Sequence, residues 1–181
     1  MSGSQSQEVL LLAAAPPVAP FATLSLTFLR DTKTLTGRDS ILGDVKIKRE
    51  TMTLDSVFES VHTVEETAEA YAREAGFDQD TATDISMVAR EAAVNAVLHG
   101  NKKDPAKHVA ASFELTDTDL KITVADEGEG LDPDNIPDPL AQENLLRPSG
   151  RGVFLMRAYM DEVHFRQLTP GTEVTLVKHR G

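Results

Sequence analysis

The chain has no cysteine among its 181 residues. That absence excludes disulfides, Cys-ligated zinc, iron–sulfur clusters and thiol nucleophiles together, and it is compatible with a reducing cytoplasm. Positive charge is scarce: 18 Lys and Arg stand against 29 Asp and Glu, a formal charge of −11. Phosphate backbones and anionic membrane surfaces are repelled by such a chain, so nucleic acid is not an expected partner. Any anionic ligand must be held by a local device, such as a bound metal or a helix N-terminus, and a Mg-nucleotide meets that condition.

A long uninterrupted apolar run is also missing. The most apolar N-terminal stretch, Val9 to Leu29, contains Pro16, Pro17 and Pro20, and Glu8 stands where a signal peptide carries positive charge. The expectation is no membrane span, no export signal and a cytoplasmic location. Neither a G-x-S-x-G nor a G-x-x-x-x-G-K-[ST] motif occurs, and His62, His99, His108, His164 and His179 show no metal-ligand spacing.

Apolar residues make up 40 % of the chain, enough to close one core. Residues 1–49 shift from a Ser/Gln start through a Leu/Ala run to a Pro-rich patch without a dominant period, which predicts a poorly ordered extension with no assigned function. Residues 50–181 read as one domain. Met52 and Leu54 mark a short strand, and Val61, Val64, Ala68, Tyr71 and Ala72 recur at helical spacing up to Gly76, a C-cap. A second helix opens at Asp80 or Thr81 and runs to about Leu98. Val109, Ala111, Phe113 and Leu115, then Leu120, Ile122 and Val124, alternate as two strands of a hairpin.

Residues 131–149 hold four prolines and no period, the mark of a functional or disordered loop. A short helix from Gly152 to Met160 and two strands around Val163/Phe165 and Val174/Leu176 follow. Strands joined mostly by turns predict a largely antiparallel sheet with helices on one face, a two-layer α+β sandwich.

Three stretches carry candidate chemistry. Glu91 and Asn95 lie one turn apart on a helix that reads as buried almost all round. Such a pair often does no more than hydrogen-bond nearby backbone. Functionally, Asn95 would offer Mg²⁺ a hard oxygen and Glu91 would act as a base or orient a water. The run Asp126-Glu127-Gly128-Glu129-Gly130 is either an acidic surface turn or a site where a carboxylate at a strand end accepts from an exocyclic amine while the glycines let backbone approach a flat ring. A calcium loop fails, because the sixth and twelfth positions are Leu131 and Pro137. Ser149-Gly150-Arg151-Gly152 precedes a helix and suits a phosphate, with residues 131–149 as a lid and Arg147 and Arg151 as local positive charge.

Together E-x-x-x-N-A, D-x-G-x-G, a Pro-rich gap, S-G-R-G before an apolar helix, Met160-Asp161-Glu162-Val163 and Gly171-Thr172-Glu173-Val174 resemble the ATP-binding domain shared by gyrase, the heat-shock chaperone, histidine kinases and MutL, the Bergerat fold. Within it the likeness is to the anti-sigma factor serine/threonine kinases, over about residues 50 to 179. The resemblance implies ATP and Mg²⁺ as cofactors, Glu91 as catalytic base and Asn95 as Mg²⁺ ligand. Asp126 would bind the adenine amino group, with Thr172 in its network. Gly128 and Gly130 would flank the base, and Gly150, Arg151 and Gly152 would close on the phosphates.

It also implies phosphorylation of a serine or threonine on an anti-anti-sigma (STAS-domain) antagonist, sequestration of a sigma factor, and a homodimer. Two other readings use the same residues: a nucleotide-dependent partner-switching module without catalysis, and the ATP-binding half of a split sensor histidine kinase. Residues 1–49 have no counterpart in the compact version of the family, and no phospho-acceptor histidine with a long dimerisation helix precedes residue 50.

Overall fold

Alternating apolar residues build the sheet. In the structure, a computed structural model that describes residues 34–42, 45–130 and 151–181, β3 (His108–Leu115) and β4 (Asp119–Ala125) bury every second residue. The period of two therefore sends Val109, Ala111, Phe113, Leu120, Ile122 and Val124 to one face. The described residues fall in one compact unit, Asp31–Gly181. With β1 (Thr34–Leu42), β2 (Val45–Asp55), β5 (Glu162–Gln167) and β6 (Thr172–His179) they form a six-stranded sheet of order β1-β2-β3-β4-β6-β5. Every pairing is antiparallel, as expected for the α+β sandwich.

The sheet begins upstream of residue 50, where the sequence analysis sets the boundary of the domain. β1 and the first part of β2 lie inside the stretch expected to be a poorly ordered extension, paired from Thr34 with Thr53 to Leu42 with Val45. A backbone ladder can be supplied by any residue but proline, so a strand made this way needs no hydrophobic period and announces none. The expectation for residues 1–33 lies outside the described residues.

Helix α1 (Phe58–Glu74) buries Val61, Val64, Ala68, Tyr71 and Ala72, the positions that its 3.6-residue period selects. It ends at Ala75, and Gly76 follows at φ +89°, a conformation that favours glycine. Helix α2 (Gln79–Val94) starts earlier than the sequence suggests, because the Asp78 carboxylate accepts from the Thr81 N–H at 2.7 Å and so caps the first turn.

At its other end, helical structure continues beyond Leu98. Asn95–Gly100 is π-helical, and the Asn101 N–H closes an i to i+5 bond to the Ala96 carbonyl at 2.8 Å. Both helices and α3 (Arg151–Tyr159) contribute to a core with Met52, Phe113, Ile122, Met156 and Leu176 at its centre. The α2 face of Ile85, Val88, Ala89, Ala92 and Ala96 is buried as expected. The opposite face is not, since Met87, Val94 and Leu98 keep partial exposure.

Candidate functional site

Glu91 sits in the last turn of α2, and Asn95 is the first residue of the π-helical segment. A π-turn inserted in a helix changes which side chains face the core, and such turns concentrate at functional sites. The Glu91 side chain keeps 26 % of its surface, so the pair is half-buried rather than enclosed. Arg90 Nη1 lies 3.6 Å from Glu91 Oε1, and Arg90 Nε lies 3.6 Å from Glu65 Oε2 on α1.

Gly152 brings the start of α3 to this pair. A Cβ at residue 152 would lie 3.3 Å from both Asn95 Nδ2 and Glu91 Oε2, so glycine keeps the space between the two helices free of side chain. Glu91 and Asn95 on one helix and Gly152 at the start of another are separate candidates in the sequence, and the structure sets them side by side. Gly150 lies outside the described residues, as do Arg147 and the lid expected over residues 131–149. Arg151 is the first residue of α3.

Asp126 lies beyond the end of β4 and is buried at 8 % exposure. Its Oδ1 accepts from the Gly128 N–H at 2.8 Å and the Thr172 N–H at 3.2 Å, while its own N–H donates to the Thr172 carbonyl at 2.9 Å. Burial pushes its carboxyl above the ordinary carboxylate range. The bonds from Gly128 and Thr172 and the charge of Lys107 pull the other way without cancelling that effect.

Glycines surround it. A Cβ on Gly100 would come within 2.3 to 2.6 Å of the Asp126 carboxyl atoms, and one on Gly128 would come within 2.4 Å of the Gly100 carbonyl. Gly171, at φ +105°, would collide with the Asp126 carbonyl at 1.8 Å. Gly130 is placed differently, at φ +90° against Gln167 and Gly171 rather than on the carboxylate.

Gly100, Asn101 and Gly171 are the site residues that sequence reasoning misses. The first two read as punctuation after a helix. The signal for Gly171 was present in the G-T-E-V run but was carried by Thr172 alone. Substituting Gly100 with alanine is expected to cost about 1–3 kcal/mol of stability by overpacking. The new Cβ must displace a carboxyl that two backbone amides hold, so the melting temperature should fall. Thermal melts check the effect. A Gly100→Ala chain with an unchanged melt would show that the Asp126 carboxyl does not press on this residue.

The π-helical segment thus joins two clusters, with Glu91, Asn95 and Gly152 at its start and Gly100 against Asp126, Gly128 and Thr172 at its end. A carboxylate and a carboxamide at one end and a buried acceptor in a glycine cradle at the other can receive a ligand that pairs charged oxygens with a flat amine-bearing ring. Among the described residues no group of three or more His, Asp or Glu is placed to hold a metal ion. No helix among them is long and apolar enough to cross a membrane.

Residues 55–178 match the model of the histidine kinase-like ATPase domain. The chain is 35 % identical over 116 residues to the anti-sigma F factor of Geobacillus kaustophilus (strain HTA426), covering 62 % of this chain and 80 % of that protein. It is 30 % identical over 119 residues to the serine-protein kinase RsbW of Bacillus subtilis (strain 168), covering 62 % and 74 %. A crystal structure of the RsbU and RsbW domains of a Mycobacterium tuberculosis protein aligns with a TM-score of 0.53 at 22 % identity, over 72 % of this chain. The alignment spans about a third of that structure's chain, 32 %, and shows the fold.

Proposed function

Because this chain belongs to the histidine kinase-like ATPase domain family, we propose that it is an ATP-dependent protein serine/threonine kinase and anti-sigma factor. It would phosphorylate an anti-anti-sigma (STAS-domain) antagonist and bind a sigma factor, working as a cytoplasmic homodimer. The observation that carries this reading is the joining of the Glu91–Asn95–Gly152 cluster to the glycine-lined Asp126 through one π-helical segment. The names of relatives, anti-sigma F factor and serine-protein kinase, support the choice of activity. The acidic charge of −11 disfavours direct contact with nucleic acid.

The residues present fit an adenine nucleotide. The described hydrogen bonds to the Asp126 carboxylate fall on Oδ1, so Oδ2 is an acceptor suited to an exocyclic amine, with Thr172 fixing the group from the opposite strand. Glycine at 100 and 128 keeps Cβ atoms away from the carboxyl. Gly130 would border the base less directly. At the other end Asn95 would contribute the protein oxygen to Mg²⁺. A single protein ligand suits an ion carried chiefly by phosphates and waters.

Bound Mg-ATP supplies the transferable phosphoryl group. The chain's own work is positioning and charge compensation, the main requirements of phosphoryl transfer. Glu91 would accept the proton of the incoming hydroxyl, and its half-exposed position leaves it accessible to a protein substrate. Backbone N–H groups of Arg151 and Gly152, at the positive end of α3, would face the phosphates.

Incubation with γ-labelled ATP and a purified STAS-domain antagonist tests the proposal. Acid-stable label on a serine or threonine of the antagonist supports it. Acid-labile label would indicate transfer to histidine and a split phosphorelay kinase, and binding without transfer would reduce the protein to a partner-switching module.

A further inference from the structure

Asn101 is completely buried, at 0 % exposure, and both ends of its side chain are committed. Nδ2 donates to the His108 carbonyl at 2.8 Å, and Oδ1 accepts from the Glu127 N–H at 2.8 Å. Its main chain is also held, with its N–H on the Ala96 carbonyl at 2.8 Å and its carbonyl accepting from the Asp104 N–H at 3.0 Å. One carboxamide therefore ties the end of the π-helical segment, the first residue of β3 and the residue after Asp126. On one side of it Gly100 lies against the Asp126 carboxyl. On the other, Glu127 is pinned further by its own carboxylate, which accepts from the His108 N–H at 2.7 Å.

We propose that Asn101 is a positioning residue for nucleobase selection, fixing the angle at which the Asp126 carboxylate meets the base without touching the nucleotide. The inference rests on the reading of Asp126 as acceptor for the exocyclic amine. A purine with a 6-amino group donates to that carboxylate, whereas a 6-oxo purine presents an acceptor to an acceptor. Sites that hydrogen-bond one functional group reject its analogue strongly, because the mismatched buried group is left unpaired. Such rejection holds only while the carboxylate cannot turn away. Thr172 restrains Asp126 from β6, and Asn101 restrains the chain just after it. Freeing the Asn101 side lets the 126–128 turn relax and lowers the penalty for the wrong base.

Calorimetric titration of Mg-ATP and Mg-GTP into wild type, Asn101→Ala, Asn101→Leu and Asp126→Asn tests this. A purely structural amide would change the melting temperature and weaken both nucleotides equally, leaving their ratio intact. The expected result is a fall of about tenfold or more in the ATP-over-GTP preference for Asn101→Ala, with a cooperative melt retained. If Asn101→Ala does not fold, Asn101→Leu carries the test, because it fills nearly the same volume and still frees the Glu127 N–H. An unchanged ratio in the folded variants overturns the inference, as does failure of both to fold, which would make Asn101 a scaffold residue. Asp126→Asn separates the premise from the inference. If it binds ATP as well as wild type, the base-reading role of Asp126 is wrong. If it loses ATP while Asn101 variants keep the wild-type preference, only the role of Asn101 is.

Discussion

Replacing Glu91 with alanine is expected to lower phosphotransfer by about 10²–10⁴, the usual worth of a positioned general base, while the affinity for ATP changes by no more than a few-fold. The asymmetry follows from the layout. Glu91 stands at the opposite end of the π-helical segment from the buried Asp126, so the groups proposed to recognise the base are untouched by its removal. Its side chain is 26 % exposed and its nearest described cation is Arg90 at 3.6 Å, so little tertiary packing is lost. The substitution shortens a side chain beside Gly152, where a Cβ would already lie 3.3 Å from Glu91 Oε2, without filling that space. Glu91→Gln keeps the volume and removes only the basic oxygen, and it should lose transfer to a similar extent. A single-turnover transfer assay beside an ATP titration separates the two quantities. If ATP binding disappears with transfer, Glu91 is structural and the base lies elsewhere.

Asp126→Asn is expected to abolish measurable ATP binding yet leave the protein at least as stable as wild type at neutral pH. An amide oxygen still accepts from the Gly128 and Thr172 N–H groups, but the amide nitrogen is a donor where the adenine amine needs an acceptor. The stability half follows from the sign of the titration. Burial holds the folded-state carboxyl above its ordinary value, so the group favours folding fully below its unfolded value, and that contribution is lost as pH rises through the folded value. Above the folded value Asp126 is therefore ionised at a cost to the fold. The neutral amide removes that cost, and the gap in melting temperature between the two proteins should close on acidification toward the unfolded carboxylate value.

Other carboxylates act in the opposite direction. Asp78, held low by bonds from Thr81, and Asp119, held low by bonds from Thr118 and His179, contribute above their unfolded values and lose that contribution as pH falls. A melt in which Asp126→Asn is markedly less stable than wild type at pH 7 would mean that the carboxylate is a structural partner rather than a site kept at a cost.

Much of the candidate site is legible in the sequence because the residues proposed for it coincide with pattern. Glu91 and Asn95 interrupt an apolar helix, Asp126 ends an alternating strand, and Gly152 opens a short helix, so composition and period mark all four. The hairpin of β3 and β4 follows from alternation alone, since each buries one face. The features that were not legible leave no such mark. An α-helix and a π-helix differ by one residue in hydrogen-bond register, which no side-chain period records, so the segment from Asn95 to Gly100 read as the plain end of α2. Gly100 read as a helix stop, although its lack of a Cβ matters because the Asp126 carboxyl approaches it from just beyond β4. The Asn101 side chain bonds to partners at 108 and 127, which no local pattern links to it. β1 is built by backbone pairing with β2 and carries no hydrophobic signature to set it apart from a tail.

The central claim is that one nucleotide site spans the π-helical segment, with the metal end at Asn95 and the base end at Asp126. Equilibrium ATP titration in the presence and absence of Mg²⁺, on wild type and on Asn95→Ala, measures it most directly. The account predicts ATP binding by wild type that Mg²⁺ strengthens, and an Asn95→Ala protein whose residual ATP affinity no longer responds to Mg²⁺. A wild-type protein that binds no ATP, or an Asn95→Ala protein with the full Mg²⁺ dependence of wild type, would contradict it.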